Sequence, residues 1–420
     1  MAEDLNKQKF GDRDREVPLE DLKSALQESS QHNRSLFIAF LLFLVYTLVT
    51  VASTSDLQLL IPDSSVQLPV VNVDLPLFGF FIVAPLFIIV FHFNFLFNLV
   101  QHSKKLYAWD GKRKGEDTLT VFPFLFNFVV AYRKKTINYH LLRLIILITT
   151  FFFPLSILLF IQIRFSAYHS LAMTAWHVIA LVLDVFIIFA FWHRIIVPEL
   201  SSIEYDSFGR MLNYHAREGF LRPFVVIFQM IKKLVISLVT FSFVIRIVKS
   251  PVAFIRETVL SLHLGQLFSR IGTTAAMFGT LTLWLIIILS HVNLGVLILL
   301  INGDMDAWYV KKFAPRLIVQ EQVLVNTPPS DMIIQRYIAM GKTKEDAWVE
   351  YAKGLDLQKR DLRFANLYKS ELINADIRNV KLQGADLGLA VMRGANLKNA
   401  EIQGADLKEA EMQGANLRDA

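Results

Sequence analysis

The stretch Ala395-Asn396-Leu397-Lys398-Asn399-Ala400-Glu401-Ile402-Gln403-Gly404-Ala405-Asp406-Leu407 repeats its own pattern every five residues. A large apolar residue keeps the same phase over the whole C-terminal part: Leu357, Leu362, Leu367, Leu372, Ile377, Leu382, Leu387, Met392, Leu397, Ile402, Leu407, Met412 and Leu417. Two residues before most of these centres stands a small one, as at Ala365, Ser370, Ala375, Ala385 and Ala390, and Asp or Asn often lies between. A period of five fits neither a 3.6-residue helix nor a two-residue strand, so the segment is an internal repeat with a fold of its own.

With Ala365-Asn366-Leu367, Ala395-Asn396-Leu397 and Ala405-Asp406-Leu407 in this pattern, the segment resembles the pentapeptide-repeat family. The resemblance implies a right-handed quadrilateral β-helix in which each pentapeptide forms one side. The residue types agree: the centre side chain fills the axis, the small residue packs in the corner, and stacked coils satisfy one another's backbone groups. At four sides per coil the centres make slightly more than three coils over 354–420. Arg360 and Val380 stand where a small residue is expected, which predicts an irregular first coil. An open β-helix end needs a cap; Ser330 and Thr343 read as helix N-caps and predict a linker and helical cap over 303–353. No cap follows Leu417, which predicts stacking on a partner or a chain that continues. Some pentapeptide-repeat proteins mimic duplex DNA, which requires a strongly negative surface; acidic and basic residues nearly balance over 351–420, so nucleic acid is not an expected partner.

Outward from the repeat, the composition changes. The chain as a whole is 54% hydrophobic with 35 Phe and only 19% charged residues, and its mean hydropathy is +0.44. The apolar residues concentrate before position 302, which predicts an α-helical integral membrane bundle over 35–302 behind a polar segment, 1–34, that includes a short helix from Leu19 to Gln27. That segment lacks the basic start and cleavage site of a signal peptide. Five segments reach the length of a span: Leu36–Ala52, Leu77–Val100, Leu141–Ile163, Leu171–Ile196 and Ile271–Ile301. Val121–Tyr132 is too short and reads as interfacial or re-entrant. Phe224–Val248 is interrupted by Lys232 and Lys233 and reads as an interfacial amphipathic helix, with a sixth span as the alternative. Leu68–Phe80, Arg164–Ser170 and Trp176-His177 are similar to bacterial multi-pass membrane proteins that carry C-terminal pentapeptide repeats. That resemblance implies a bacterial inner membrane and brings no assigned activity.

The loop Ser53–Pro76 contains no Lys or Arg, whereas Gln101–Asn138 contains Lys104, Lys105, Lys112, Arg113, Lys114, Arg133, Lys134 and Lys135. The basic loop belongs on the cytoplasmic side, and the N-terminus with it. Five spans then put the repeats outside and six put them inside. Within Ser53–Pro76, alternating Val66, Leu68 and Val70 predict a strand-like segment across helix ends, confined to irregular positions by Pro62, Pro69 and Pro76.

The chain has no Cys, which excludes disulfides, thiolate nucleophiles, Cys-ligated zinc and iron–sulfur clusters. No phosphate loop, zinc-protease motif, nucleophile elbow or dinucleotide fingerprint occurs, so neither an enzymatic activity nor a cofactor is expected. Asn94, Asn98 and His102 follow one another at i+4, and His177 and Asp184 lie seven apart; these five are the candidate intramembrane polar path, against the commoner reading as interhelical packing bonds. Arg143, His193 and Arg194 read as interfacial anchors. Gly272, Ala275, Ala276 and Gly279 present small residues at helix-contact spacing and, with the uncapped last coil, predict a homo-oligomer. The expected partners are membrane lipid, a protein not identified by the sequence, and a second copy. The function expected is a membrane-anchored interaction or assembly scaffold; the alternative is an oligomeric ion channel or permeabilising effector.

Overall fold

The computed structural model of the chain describes residues 18–61, 65–67, 74–112, 123–131, 137–196, 274–302 and 308–420. Phe224–Val248 and Gly272 lie outside the described residues. Helix α1, Leu19–Ser53, is one piece of 35 residues that starts directly after Pro18. The short helix expected at Leu19–Gln27 is therefore continuous with the first span: Glu28–Ser35 is polar but holds no Gly or Pro to break it. A short α2, Asp56–Leu60, follows, opened by a reciprocal capping box between Ser55 and Gln58. The strand-like segment of the first loop is a hairpin of β1, Ser65–Gln67, and β2, Asp74–Pro76, with Val66 opposite Leu75.

Helix α3, Leu77–Lys112, carries Pro85 in its interior. Helix α4, Leu125–Ala131, has only seven residues; it lies where the interfacial piece was expected, and Phe124 just before it and Phe126 in its first turn are buried against Phe37 of α1. Then come α5, Ile137–Leu147, a π-helical turn, Ile148–Phe152, and α6, Phe153–Ser166. The wide turn has a local cause. Pro154 cannot donate to the carbonyl four residues back, and Phe153 N instead bonds Ile148 O, one residue further. Helix α7, Leu171–Ile196, and α8, Thr274–Ile301, complete the bundle; Ala275, Ala276 and Gly279 fall in the first two turns of α8. Four helical stretches, Leu19–Ser53, Leu77–Lys112, Leu144–Ser166 and Leu171–Ile188, are long and apolar enough to cross a membrane, and α8 adds a shorter apolar stretch, Leu285–Ile301.

Side-chain bonds fix which helix ends lie together. Arg164 near the end of α6 donates to Thr54 O after α1 and to Asp56 of α2. His177 and Trp176 near the start of α7 donate to Phe81 O and Ile82 O near the start of α3. Asn293 in the last third of α8 donates to Ser166 at the end of α6. All these belong to one end of the bundle, which also holds the loop without Lys or Arg. At the other end Ser103 in late α3 donates to Ile195 O in late α7, beside the stretch that holds Lys104, Lys105 and Lys112. Both the end of α7 and the start of α8 are at this basic end.

After α9, Trp308–Phe313, the chain enters the repeat region. Parallel bridges join residues twenty apart, Asp356 to Asp376, Asp376 to Asn396 and Asn396 to Asn416, with equivalent columns through Asp361, Asn366 and Glu371. Four pentapeptides therefore separate each residue from the one stacked on it. Each side contributes ladder bonds to the coil above and below, as in Leu387 N→Asp406 O at 2.8 Å and Asp386 N→Ala365 O at 2.9 Å. The centres Leu357 to Leu397 and the small residues Ala365, Ala375, Ala385 and Ala395 are all buried. Ile402, Leu407 and Met412 are half-buried, and Leu417 is 42% exposed.

Two further positions of the pentapeptide now have physical roles. Where Asp or Asn precedes a centre, it accepts from the backbone N–H two residues on, as Asp386 does from Gly388 at 3.1 Å and Asp406 from Lys408 at 2.9 Å, which closes that corner as an Asx turn. The residue two after each centre sits at positive φ, from Lys359 to Asp419, and Gly or Asn fills it at 374, 379, 384, 394, 399, 404 and 414. At Gly394, φ +67°, an added Cβ would also collide with Asn374 Oδ1 in the coil below.

The first coil is regular, contrary to the expectation from Arg360 and Val380. Leu357 N, Lys359 N and Leu362 N bond the next coil at 2.9, 3.0 and 2.8 Å. Val380 is accommodated inside, fully buried, whereas the Arg360 side chain leaves the corner altogether. Below this coil lies a partial one the repeat pattern did not reveal. Ile318 bridges to Asn366 and Val323 to Glu371, both parallel, so Val319 and Leu324, five apart and buried, stand beneath the centres Leu367 and Leu372. The chain then runs through β3, Val325–Thr327, helices α10, Asp331–Ala339, and α11, Lys344–Tyr351, and returns through β4, Lys353–Gly354, which pairs with β3. Thr343 caps α11 in a reciprocal box with Asp346, whose carboxyl is held below its usual range by those bonds; Ser330 precedes α10 without a side-chain cap bond.

Candidate functional site

The five candidate path residues divide into three groups. Asn94 and Asn98 face outward: Asn98 donates to Asn94 O at 2.8 Å and to Asn94 Oδ1 at 3.0 Å. An α-helix turns about 100° per residue, so a stripe at i+4 drifts by about 40° per step, and His102 has rotated into the interior. There it bonds Asn127 Oδ1 of α4 at 2.6 Å and Ser29 Oγ of α1 at 3.1 Å. Asn127 donates onward to Ser30 at 3.0 Å, so three elements are joined at the basic end.

His177 and Asp184 both face α3. His177 Nε2 donates to Phe81 O at 2.9 Å, the carbonyl left without its helical donor by Pro85 four residues later. Asp184 Oδ1 lies 2.7 Å from His92 Nδ1, and both side chains are fully buried. His92, not singled out by the sequence pattern, also stacks on Phe40 at 5.1 Å between ring centres. Between α6 and α8, Ser290 donates to Gln162 Oε1 at 2.6 Å and Gln162 donates to Ser290 O at 2.8 Å. His102, His177, Asp184 and the Gln162–Ser290 pair thus bind element to element at separate levels of the bundle, whereas Asn94 and Asn98 bond each other on one helix.

A denser cluster of charge lies where the repeats meet the bundle, at the end away from the basic loop. His169, in the turn between α6 and α7 at φ +58°, has Nδ1 3.2 Å from Asp361 Oδ1 and Nε2 2.5 Å from Pro315 O. Asp361 accepts two further bonds from Arg363, at 2.8 and 2.5 Å, and Arg363 donates through its other nitrogen to Leu300 O in the last turn of α8. Burial alone would raise the Asp361 carboxyl, but the hydrogen bonds and charges of Arg363 and His169 outweigh it and hold the group well below the usual carboxylate range. Arg360, displaced from the coil corner, lies over the Tyr168 ring at 4.1 Å and donates to Leu59 O at 2.7 Å; burial lowers its guanidinium from the usual value against the pull of Tyr168 and Asp361. Asp56 completes the seat, accepting from Arg164 and, at 2.7 Å, from Ile318 N of the partial coil.

Asp361, Arg363 and Asp56 do not stand out in the sequence, and His169 does so only as part of the stretch Arg164–Ser170, with no role attached. The one signal there is Arg360, a long cation where the repeat demands a small residue.

The outward faces of the coils are polar and mixed. Asn399 donates to Asn379 at 3.2 Å and Asn416 to Asn396 at 3.1 Å, forming short amide ladders up the stack. Arg378 pairs with Asp376 at 2.7 Å, and that pairing lowers the carboxyl and raises the guanidinium.

Residues 356–394 and 385–420 match the family model for pentapeptide repeats, in eight copies. The C-terminal part of the chain is thus a pentapeptide-repeat region. Among solved structures the chain is similar to the pentapeptide repeat protein Rfr23 from the cyanobacterium Cyanothece 51142, at 24% identity over 24% of this chain and 80% of that one, with a TM-score of 0.13. No curated protein matches the chain.

Proposed function

We propose that the chain is a membrane-anchored scaffold: a helical bundle in a bacterial inner membrane holds a right-handed, four-sided pentapeptide-repeat β-helix as a rigid surface for a macromolecular partner. The observation that carries this reading is the seat of the first coil. Arg360, Arg363, Asp361 and Ile318 bond to Leu59, Leu300, His169 and Asp56, which ties the stack to four separate points of the bundle. A tethered domain needs only a linker; this many bonds to helix ends fix an orientation, which is what a presenting surface requires.

The repeats lie on the side of the membrane opposite the basic loop, because α8 delivers the chain to the end shared by the Lys- and Arg-free loop, and basic loops stay cytoplasmic. Reporter fusions test this: one placed after Leu417 scores as periplasmic, and one placed between Lys112 and Thr118 scores as cytoplasmic. Equal compartments for the two would refute the topology. A second reading rests on Asn94, whose amide lies on the outer surface of α3 and is bonded, among the described residues, by Asn98. In a bilayer that face is relieved by a second copy, as a homo-oligomer or an intersubunit path would provide. Ion flux from liposomes that is abolished by Asn94→Leu and Asn98→Leu favours the channel; absence of flux favours the scaffold.

A further inference from the structure

The column of outward-facing residues that runs up one face of the stack begins at Ile318 and continues through Asn366, Asp386 and Asp406. The adjacent column begins at Val323 and continues through Glu371, Val391 and Glu411. In the same structural position the lowest coil is thus apolar in both columns, whereas the next coil, one strand spacing of about 4.8 Å higher, is polar in both. Ile318 is 53% exposed and Val323 51%, and just before them Phe313 is 57% exposed. Higher in the stack the outward apolar side chain of these columns, Val391, is half-buried and less exposed than Ile318 or Val323.

Two observations say what covers this collar. It lies at the level of the helix ends, since Ile318 N bonds Asp56 of α2 and the same partial coil follows directly from α8 and α9. The stretch that leads to it, Trp308-Tyr309-Val310-Lys311-Lys312-Phe313, combines aromatic and long basic residues soon after an apolar helix that ends at Ile301, the composition favoured where a chain passes from hydrocarbon to headgroups. Lys312 Nζ lies 5.7 Å from the Phe313 ring centre, an amphipathic pair with its apolar body beside its charge.

We infer that the lowest coil of the repeat region is seated in the lipid surface: Phe313, Ile318 and Val323 enter the boundary between headgroups and acyl chains around the bundle end, and the polar coils from Asn366 upward stand in water. This rests on the reading of α1, α3, α6, α7 and α8 as membrane spans. It adds a second support to the stack, in which the bundle fixes two sides of the first coil and lipid covers two sides of the coil beneath it.

The absence of Cys makes the test direct. Ile318→Cys, Val323→Cys, Asp406→Cys and Phe87→Cys are made singly in the full chain, spin-labelled, and placed one chain per nanodisc of phosphatidylethanolamine and phosphatidylglycerol. Relaxation by lipid-soluble oxygen is compared with relaxation by a water-soluble nickel chelate. The oxygen-to-nickel ratio is several-fold higher at 318 and 323 than at 406, in the same column as 318, and stays below that at Phe87, deeper on the outer face of α3. Labels at 318 and 323 that behave like the one at 406 overturn the inference while leaving the spans intact. A label at Phe87 that also favours nickel overturns the membrane reading itself. Protection at 318 and 323 that appears only with two chains per disc assigns the collar to a second copy and overturns the lipid assignment. Val323 and Ile318 report the same surface independently, so misfolding of either variant does not rescue the inference.

Discussion

Phe81 and Phe87 sit on the same apolar helix, one fully buried and the other 58% exposed, whereas in the repeat region Leu387 is buried and Asp386 just before it is partly exposed. The two regions are built on different rules. In the coils, water lies outside, and the hydrophobic effect sorts inside from outside residue by residue. In the bundle both surfaces are apolar, so hydrophobicity sets the length of each helix without assigning its faces. Polar bonds assign them instead, with His92 to Asp184, His177 to Phe81 O, and Gln162 to Ser290 picking out which faces meet.

The largest effect that would break this division is expected at the junction, where the two rules meet. Arg363→Ala removes a buried cation bonded to Asp361 and Leu300 O and leaves the carboxylate with His169 and the backbone N–H of residue 363; loss of one member of a buried pair costs about 3–5 kcal/mol. Faster amide exchange at Val319 and Asn366, with the coils above 386 unchanged, would show the seat opening while the stack holds. Next comes the core of the coils. Leu387→Ala is expected to cost about 2–5 kcal/mol, whereas Leu417→Ala, on a side chain 42% exposed, costs far less; equal effects in unfolding curves would deny that the centres form one continuous buried column.

A smaller effect sharpens the rule inside the bundle. His177→Ala deprives Phe81 O of its donor and is expected to cost roughly 0.6–1.7 kcal/mol. In Pro85→Ala, where a backbone N–H becomes available to that carbonyl, the same change should cost less. A double-mutant cycle with no coupling would show that His177 is not serving the proline-freed carbonyl.

The smallest effect is that of pH on the seat. The native Asp361 carboxyl is held below its usual range, so it contributes stability that is complete above the unfolded value of about 3.9 and is lost as pH falls from there toward the native value. Exchange at Val319 and Asn366 should therefore be flat from neutral pH down to about 5, after correction for intrinsic rates, and rise only in more acid solution. A rise between neutrality and about pH 5 would contradict the assignment of this pH dependence to Asp361.

The same contrast explains how much can be read from the chain. The five-residue phase alone locates every buried centre from Leu357 to Leu397, because one repeat unit has one geometry. Gly and Asn two residues after the centres carry the positive-φ position just as plainly. The partial coil through Val319 and Leu324 escapes the pattern because it contributes only two sides and is separated from its neighbours by α10 and α11. In the bundle, Asp184 and His177 stand out as polar residues within apolar runs, but their partners do not: one is His92, eleven residues from Phe81 on α3, and the other is a backbone carbonyl whose need is created by Pro85. The junction is least legible, since His169, Asp361 and Arg363 are ordinary residues in sequence and become a cluster only when a turn at 167–170 meets a coil about 190 residues later.

The central claim, that the stack is held in one orientation on the bundle, is most directly tested by a distance. Ala52→Cys at the exposed end of α1 and Asn399→Cys on the third coil, spin-labelled together in the full chain in a bilayer, should give a single narrow distance distribution that broadens when Arg363→Ala is added. A broad distribution in the otherwise native chain would contradict the account.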